Sequence, residues 1–200
     1  MLTVRRTLLS LAASLALSVA AGAAIAAPTV STLGGDTQVA LSATFVQALT
    51  SLGVAPSPSF PARLRHGTAT FPIPTGEIDL GTLKGEIAHN GGLNLDAGGT
   101  RVNISSFQID TTGAAPAITG LVKVNDALIG RIALFDLQLT AAPTVRRYAL
   151  YGTLQLKDVG VTLSAEAAEA LNDVFGVTAF AAGLPVGTAR SNTFFYDPDA

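Results

Sequence analysis

One pattern occurs twice in this chain and constrains its fold more than any other feature. Residues 39–54 begin with Val-x-Leu-Ser-Ala and continue through Ala-Leu to Gly-Val, and residues 161–177 repeat that series. A second string, Phe-x-Ala-x-Leu-x-x-Gly-Thr-Ala, follows each copy, at residues 60–69 and 180–189. Such repetition indicates a duplicated supersecondary unit. We therefore expect the two ends of the chain to be copies of one strand, helix, strand unit.

Each copy is predicted to contain one short amphipathic helix. Ser42 is a good N-cap, and apolar residues including Phe45 share one helical face before Gly53 ends the helix. Ser164 and Gly176 occupy the corresponding positions in the second copy. The sequence between the copies alternates between apolar and polar residues with period two, which is typical of β-strands. Strands are predicted at Gly67 to Pro72, Glu77 to Leu80, Leu83 to His89, Leu93 to Asp96, Thr100 to Asp110, Ile118 to Asn125, Leu128 to Leu139, Tyr148 to Lys157 and Gly160 to Leu163.

Two of the long predicted strands change phase midway. The apolar alternation shifts between Ile104 and Phe107 in one strand and between Leu134 and Phe135 in the other. A phase change inside an alternating strand indicates a β-bulge, and bulges bend sheets as sandwiches and barrels require. The predicted fold is therefore mainly β, an antiparallel β-sandwich or flattened barrel with two short amphipathic helices.

The first 26 residues have the composition of a secretory signal peptide. Arg5 and Arg6 form a basic start, residues 8–19 are apolar, and Ala-Ile-Ala at 24–26 is a small-residue cleavage site. The arginine pair also leaves room for twin-arginine export. No other stretch of the sequence approaches the roughly 18 to 20 apolar residues that a membrane-spanning helix needs. We expect a secreted or cell-envelope protein, periplasmic or extracellular.

The rest of the chain is predicted to form one domain at 38–190. Residues 27–37 are small and polar without periodicity and are predicted to be a flexible leader, and residues 191–200 a C-terminal tail. Removing the signal peptide, with its two arginines, leaves ten basic and fourteen acidic residues, a formal charge of −4. This balance and the absence of a basic patch argue against a nucleic-acid partner. The lack of cysteine excludes disulfides and thiolate metal sites.

Catalytic and metal-binding signatures are missing from the sequence. Acidic residues are scattered, no metal-ligand spacing occurs, and no Gly-x-Ser-x-Gly elbow marks an activated serine. The chain has two histidines, and Val186 stands at the position of His66 in the second copy. That position therefore does not require imidazole, and we expect His66 at a solvated edge. Neither an enzyme nor a dedicated metal site is predicted.

His89 is the more informative histidine. In the predicted strand, Leu83, Ile87 and His89 point to the same side, and two glycines follow at 91 and 92. An imidazole on an apolar face, beside glycines that allow close approach, is a candidate ligand-binding group. A hydrogen-bonded histidine beside a tight turn gives the same pattern, so both interpretations stay open.

Three segments resemble one known family. Residues 88–95 (Ala-His-Asn-Gly-Gly-Leu-Asn-Leu) resemble the Gly-His-x-Gly-Ala-Leu-x-Leu strand of the HtaA domain. Residues 161–166 resemble its late Leu-Thr-Ala-Glu-Gly helix start, and residues 180–183 resemble the aromatic-x-Ala-Gly that follows. The order and spacing of these segments extend the resemblance over about residues 41–189. HtaA domains are known from secreted and surface-displayed bacterial haem-uptake proteins with a β-rich fold and two short helices.

The resemblance implies a haem site with one departure. The family's first helix carries Ser-Phe-Arg-x-Tyr with a haem-ligating tyrosine; Phe45 matches the phenylalanine, and Ala48 stands where the tyrosine is expected. Haem would then need His89, the usual partner of that tyrosine, as its direct ligand, with Phe45 and Phe180 lining the slot. We expect an exported, non-enzymatic binding domain for haem or another hydrophobic ligand. The alternative is a structural or adhesive envelope module with no small-molecule ligand, whose partner is another envelope protein.

Overall fold

The computed structural model describes residues 29–197, which form an antiparallel β-structure with two helices. The predicted signal peptide, residues 1–26, lies outside the described residues. The helices are α1 (Ala43–Ser51) and α2 (Ala165–Phe175). The strands are β1 (Thr29–Leu41), β2 (Ala55–Ser59), β3 (Arg63–Arg65), β4 (Thr68–Pro72), β5 (Thr75–Asp79), β6 (Gly85–Ala88), β7 (Gly92–Ala97), β8 (Thr100–Asp110), β9 (Ala117–Val124), β10 (Ala127–Gln138), β11 (Thr144–Tyr148), β12 (Tyr151–Leu163) and β13 (Pro185–Tyr196).

Eight of these strands close into a barrel. Each pairs antiparallel with the next in the order β1, β5, β6, β8, β9, β10, β12 and β13, and β13 pairs back with β1. Closure leaves no free edge within the barrel itself. The sequence prediction of a mainly β, antiparallel fold with two short helices is confirmed.

Three long barrel strands each carry an additional neighbour. Strand β1 pairs with β5 near its start and with β4 near its end. Strand β8 pairs with β7 and then with β6, and β12 pairs with β11 and then with β10. Strands β2 and β3 extend these additions by pairing with β7 and β4. Where a long strand extends beyond its partner in the barrel, an additional strand pairs with the part that extends.

Both predicted bulges are present. The register between β8 and β9 shifts between Ser105 and Gln108, and Ser106 there adopts a positive φ of 52°. The register between β10 and β9 shifts between Ala133 and Phe135. Each shift moves the following apolar side chains back to the interior, which is why the alternation changes phase in the sequence.

The duplicated unit is also confirmed. The first copy runs from the end of β1 through α1 towards β4, and the second runs from β12 through α2 into β13. The Ser42 hydroxyl caps α1 by accepting from the Phe45 N–H at 3.0 Å, and the Ser164 hydroxyl caps α2 from the Ala167 N–H at 3.0 Å. Gly176 ends α2 in the left-handed conformation with φ 63°.

The predicted leader and tail are wrong in the part that the structure describes. Strand β1 occupies residues 29–41 and hydrogen-bonds to neighbours on both sides, and β13 continues to Tyr196. The small and polar residues of these segments hide their strand character, because Thr32, Thr37, Ser191 and Thr193 are buried inside the barrel. Alternation of apolar and polar side chains is a weak signal where hydroxyl groups face inward.

The short strands β2, β3 and β11 were not predicted, and two segments predicted as separate strands belong to the single strand β12. The prolines of β2 and the three-residue length of β3 conceal both, since proline is confined to edges and bulges in sheets. Strand β11 is exposed along its whole length. Residues 148–157 and 160–163, predicted as two strands, contribute to β12, which is continuous from Tyr151 to Leu163 across an irregular register between Leu156 and Val159.

Candidate functional site

His89 lies inside the domain, directly after β6. Its side chain is only 4% exposed, and its backbone N–H donates to the Phe107 carbonyl at 2.8 Å. Asn90 continues the turn by donating to the Pro72 carbonyl at 2.9 Å. These bonds fix the backbone of the turn between β6 and β7, from which the imidazole projects.

The imidazole belongs to a buried chain of hydroxyl groups. His89 Nε2 lies 2.7 Å from Thr37 Oγ1, Thr37 donates to Ser191 Oγ at 3.1 Å, and Ser191 Oγ lies 3.4 Å from Thr193 Oγ1. Because the single hydroxyl proton of Thr37 goes to Ser191, Nε2 is the donor to Thr37. Nδ1 then carries a free lone pair, and it has no hydrogen-bond partner among residues 29–197.

Burial keeps this imidazole neutral. It lowers the pKa of His89 from 6.5 to about 4, although the backbone groups of Ile87 and Phe107 act in the opposite direction. Neither of those groups meets hydrogen-bond geometry with Nδ1. At neutral pH His89 is therefore an uncharged base with a bare nitrogen, which is the form that ligates metals.

A small apolar cavity lies between α1 and the sheet, and His89 lines it. Its volume is about 60 Å³, and its only polar lining side chains are His89 and Thr37. The rest of the wall includes four phenylalanines, Phe45, Phe71, Phe107 and Phe135. The rings of Phe71 and Phe107 meet edge to face, with their centroids 5.0 Å apart. The space admits a few water-sized groups and is well below the ~300 Å³ at which ligand pockets begin.

The structure brings two of the three predicted site residues together. His89 and Phe45 line the same cavity, with Phe45 reaching it from the first turn of α1. Phe180 lies elsewhere: its backbone N–H and carbonyl are both bound by the Asn172 side chain of α2, at 3.0 and 2.8 Å. Phe180 is buried in the same core cluster as Phe45 but does not line the cavity beside His89.

Ala48 and the two glycines after His89 contribute no ligand group. Ala48 is half-buried on α1, one turn after Phe45, and does not line the cavity. A Cβ on Gly91 would lie 2.4 Å from the Ala62 nitrogen, and one on Gly92 would lie 2.1 Å from the Ile104 carbonyl oxygen. The surface that approaches these glycines is therefore neighbouring backbone.

Thr37 and Ser191 are site residues that the sequence reasoning missed. Both lie in segments predicted to be leader and tail, yet they connect to His89 across β1 and β13. The available signal was the run of small hydroxyl residues at every second position, Ser191 and Thr193, which fits the inner face of a narrow barrel.

Residues 29–197 contain neither a metal-ligand cluster nor a membrane-spanning helix. Within residues 29–197, no three histidine or acidic side chains gather closely enough to hold a metal ion. Neither helix in this range has the length and apolar character needed to cross a bilayer.

The chain is similar in fold to solved domains of a bacterial protein, HtaA. The C-terminal domain of HtaA from Corynebacterium glutamicum matches with a TM-score of 0.62 at 14% identity, over 83% of this chain and 99% of that domain. A domain-swapped dimer of a variant of that domain matches with a TM-score of 0.52 at 16% identity, over 76% and 90%. The N-terminal domain of HtaA matches with a TM-score of 0.52 at 13% identity, over 81% and 97%.

Sequence comparisons give no further relative. No protein-family model matches the chain, and a search of the curated proteins gives no match. At identities this low, the structural likeness concerns the backbone arrangement and not the ligand. What the likeness shows is that this chain adopts the fold of the HtaA domain.

Proposed function

We propose that this protein is an exported, non-enzymatic binding domain that takes a hydrophobic ligand, with haem as the first candidate, between α1 and the barrel. One observation carries the proposal: a neutral, buried imidazole with an unpartnered nitrogen lines a cavity whose other lining side chains, apart from Thr37, are apolar. The resemblance of residues 88–95 to the histidine-bearing strand of HtaA domains supports haem over other ligands.

The residues around His89 fit haem in chemistry but not in volume. An imidazole nitrogen is a competent axial ligand, and the phenylalanines offer the apolar contacts that a porphyrin needs. A cavity of about 60 Å³ cannot enclose a porphyrin while α1 stays where it is. The proposal therefore includes an outward displacement of α1, whose buried attachments are Phe45 and Leu49.

Export and location are part of the same proposal. Cleavage after Ala26 would release a chain that begins two residues before β1, at the surface of a bacterial envelope or outside it. A secreted domain without disulfides depends on its core for stability, and the closed barrel supplies that core. A hydrophobic ligand met outside the cell fits such a carrier.

Hemin titration with Soret absorbance tests the proposal directly. We expect a saturable, red-shifted band for the purified protein and loss of that band in His89→Asn, because an amide can still bond to Thr37 but does not replace imidazole as an iron ligand. His66→Asn is the matched control: His66 is exposed with a positive φ of 50°, which asparagine tolerates. Retention of the band in His89→Asn would contradict the proposed ligand.

A structural envelope module is the second candidate function, and the small cavity favours it. If the core under α1 is simply filled, hemin will give no band beyond that of free hemin and will leave the melting temperature unchanged. A ligand that binds only the folded state must raise that temperature. An unchanged spectrum together with an unchanged melting temperature would remove haem and leave a protein partner to be sought.

A further inference from the structure

A second cavity, much larger than the first, occupies another part of the barrel interior. Its volume is about 410 Å³, within the range of roughly 300 to 1,000 Å³ that is usual for small-molecule sites. Thr37, Ile109 and Ile118 line both cavities, so they form the wall between them. Protein interiors are close-packed, and unfilled space of this size inside one small domain is uncommon unless something occupies it.

The cavity is mostly apolar in its depth and polar at its rim. Ile78, Ile87 and Val159 form the deep apolar walls, and the buried hydroxyls of Thr37 and Ser191, which are hydrogen-bonded to each other, line it as well. Thr82 and Lys84, at and after the turn that joins β5 to β6, are exposed at the rim with Leu139. This division suits a molecule with an apolar body and one polar end.

Lys84 sets the charge of that polar end. It is the only charged residue that lines the cavity, and it makes no ion pair among residues 29–197. Its Nζ donates to the Gly113 carbonyl at 2.6 Å, which holds the ammonium group against the loop between β8 and β9 and leaves further donors free. The hydroxyl and backbone N–H of Thr112 donate to the Asp110 carboxylate at 2.6 and 2.8 Å and lower the pKa of that carboxyl, and the nearby charge of Lys84 lowers it further.

We propose that this cavity is a binding site for an amphiphile with an anionic head, of the class of medium-chain carboxylates. The chain lies against the isoleucines and Val159, and the carboxylate meets the Lys84 ammonium at the rim. The site is separate from the cavity beside His89 and does not depend on haem binding.

Calorimetric titration of the purified protein with decanoate tests this site, with decan-1-ol and decylamine as comparison ligands. We expect saturable binding of one decanoate per chain, weaker binding of the alcohol, and the weakest binding of the amine, which places a cation beside Lys84. Lys84→Met should weaken decanoate about tenfold, the loss of one charge-assisted hydrogen bond, and leave the alcohol unchanged. Lys123→Met removes an exposed lysine that does not line the cavity and should change neither.

A second pair of variants tests the position of the site. Leu139→Trp adds bulk to a rim residue that is 42% exposed and should weaken decanoate and decan-1-ol alike. Leu128→Trp makes the same change at a leucine that is 61% exposed and does not line the cavity, and should have no effect. No saturable decanoate binding, equal affinity for decanoate and decylamine, or binding unaltered by both Lys84→Met and Leu139→Trp would overturn the proposal.

Discussion

The two copies of the repeated unit start their helices in the same way. In the first copy, the Ser42 N–H donates to the Val186 carbonyl at 2.8 Å, and its hydroxyl donates to the Pro185 carbonyl at 2.5 Å. In the second copy, the Ser164 N–H donates to the Leu134 carbonyl at 3.1 Å and its hydroxyl to the preceding carbonyl, that of Ala133, at 2.7 Å. Each serine therefore caps its own helix and also ties it to a neighbouring strand.

The copies differ in what holds each helix after its first residue. Helix α2 has two more attachments: Glu166 accepts from the Ala133 N–H at 2.9 Å, and Asn172 binds both backbone groups of Phe180. The corresponding residues of α1 are Thr44 and Thr50, and Thr50 donates to the Val46 carbonyl of its own helix. The less anchored helix is the one that covers the cavity with His89. Helix α1 therefore has fewer side-chain bonds to neighbouring segments than α2, and we expect it to be the easier of the two to displace.

The largest expected difference between the copies is at their shared phenylalanine. Phe180 is 4% exposed, whereas Phe60, at the same position of the repeat, is 93% exposed. Phe180→Ala should lower the free energy of unfolding by about 3 to 5 kcal/mol, because it leaves a cavity in the core. Phe60→Ala should change it by less than about 0.5 kcal/mol. Urea unfolding of the two variants measures both, and equal losses would mean that Phe60 is packed as well.

A somewhat smaller change in the free energy of unfolding should follow from the titration of His89, the buried imidazole beside α1 of the first copy. The pKa of His89 is 6.5 in its ordinary state and about 4 in the fold, so the unfolded state takes up the proton first as the pH falls. The contribution of neutral His89 to the free energy of unfolding is fully present above pH 6.5. It is lost progressively as the pH falls to about 4, by roughly 3 kcal/mol in total.

The measurement is the difference in unfolding free energy between the wild type and His89→Asn at several pH values. This difference should shrink as the pH falls from 6.5 to 4, since the variant lacks the group that titrates. His66→Asn, at an exposed histidine of the first copy, is the control for a histidine that lies outside the core. A constant difference for His89→Asn would mean that His89 is solvated.

Much of the fold was predictable from the sequence because its strongest signals are local. The serine caps, the glycine after each helix and the phase changes near Phe107 and Phe135 depend on a few neighbouring residues, and the structure has them all. Strands β1 and β13 were missed in part because their inward residues include threonine and serine. Those hydroxyls are satisfied by partners distant in sequence, such as Thr37 with His89, which no local pattern records.

The residues of the candidate site could be predicted only where a residue type is rare in the chain or a local pattern fixes its direction. His89 stands out because the chain has two histidines, and Phe45 because the helix places it inward. Phe180 was assigned to the slot by resemblance, but its position depends on the Asn172 side chain, which binds it to α2. The larger cavity near Lys84 left no sequence signal, since its lining residues come from strands and turns that are distant from one another in the sequence.

The smallest expected change in the free energy of unfolding concerns Glu166, whose bond to the Ala133 N–H has no counterpart in α1. Glu166→Ala removes the acceptor of the Ala133 N–H and an acidic group from the first turn of α2, and should lower the free energy of unfolding by about 1 kcal/mol. Thr44→Ala at the equivalent position, and Glu169→Ala on the same helix, should each change it by less than about 0.5 kcal/mol.

Amide hydrogen exchange makes the same comparison residue by residue. In the wild type, the amides of α1 should exchange faster than those of α2, because fewer bonds must break for α1 to open. Glu166→Ala should bring the exchange rates of α2 closer to those of α1 while leaving α1 unchanged. If α2 already exchanges as fast as α1, the additional anchors do not hold it, and α1 is not the more easily opened of the two helices.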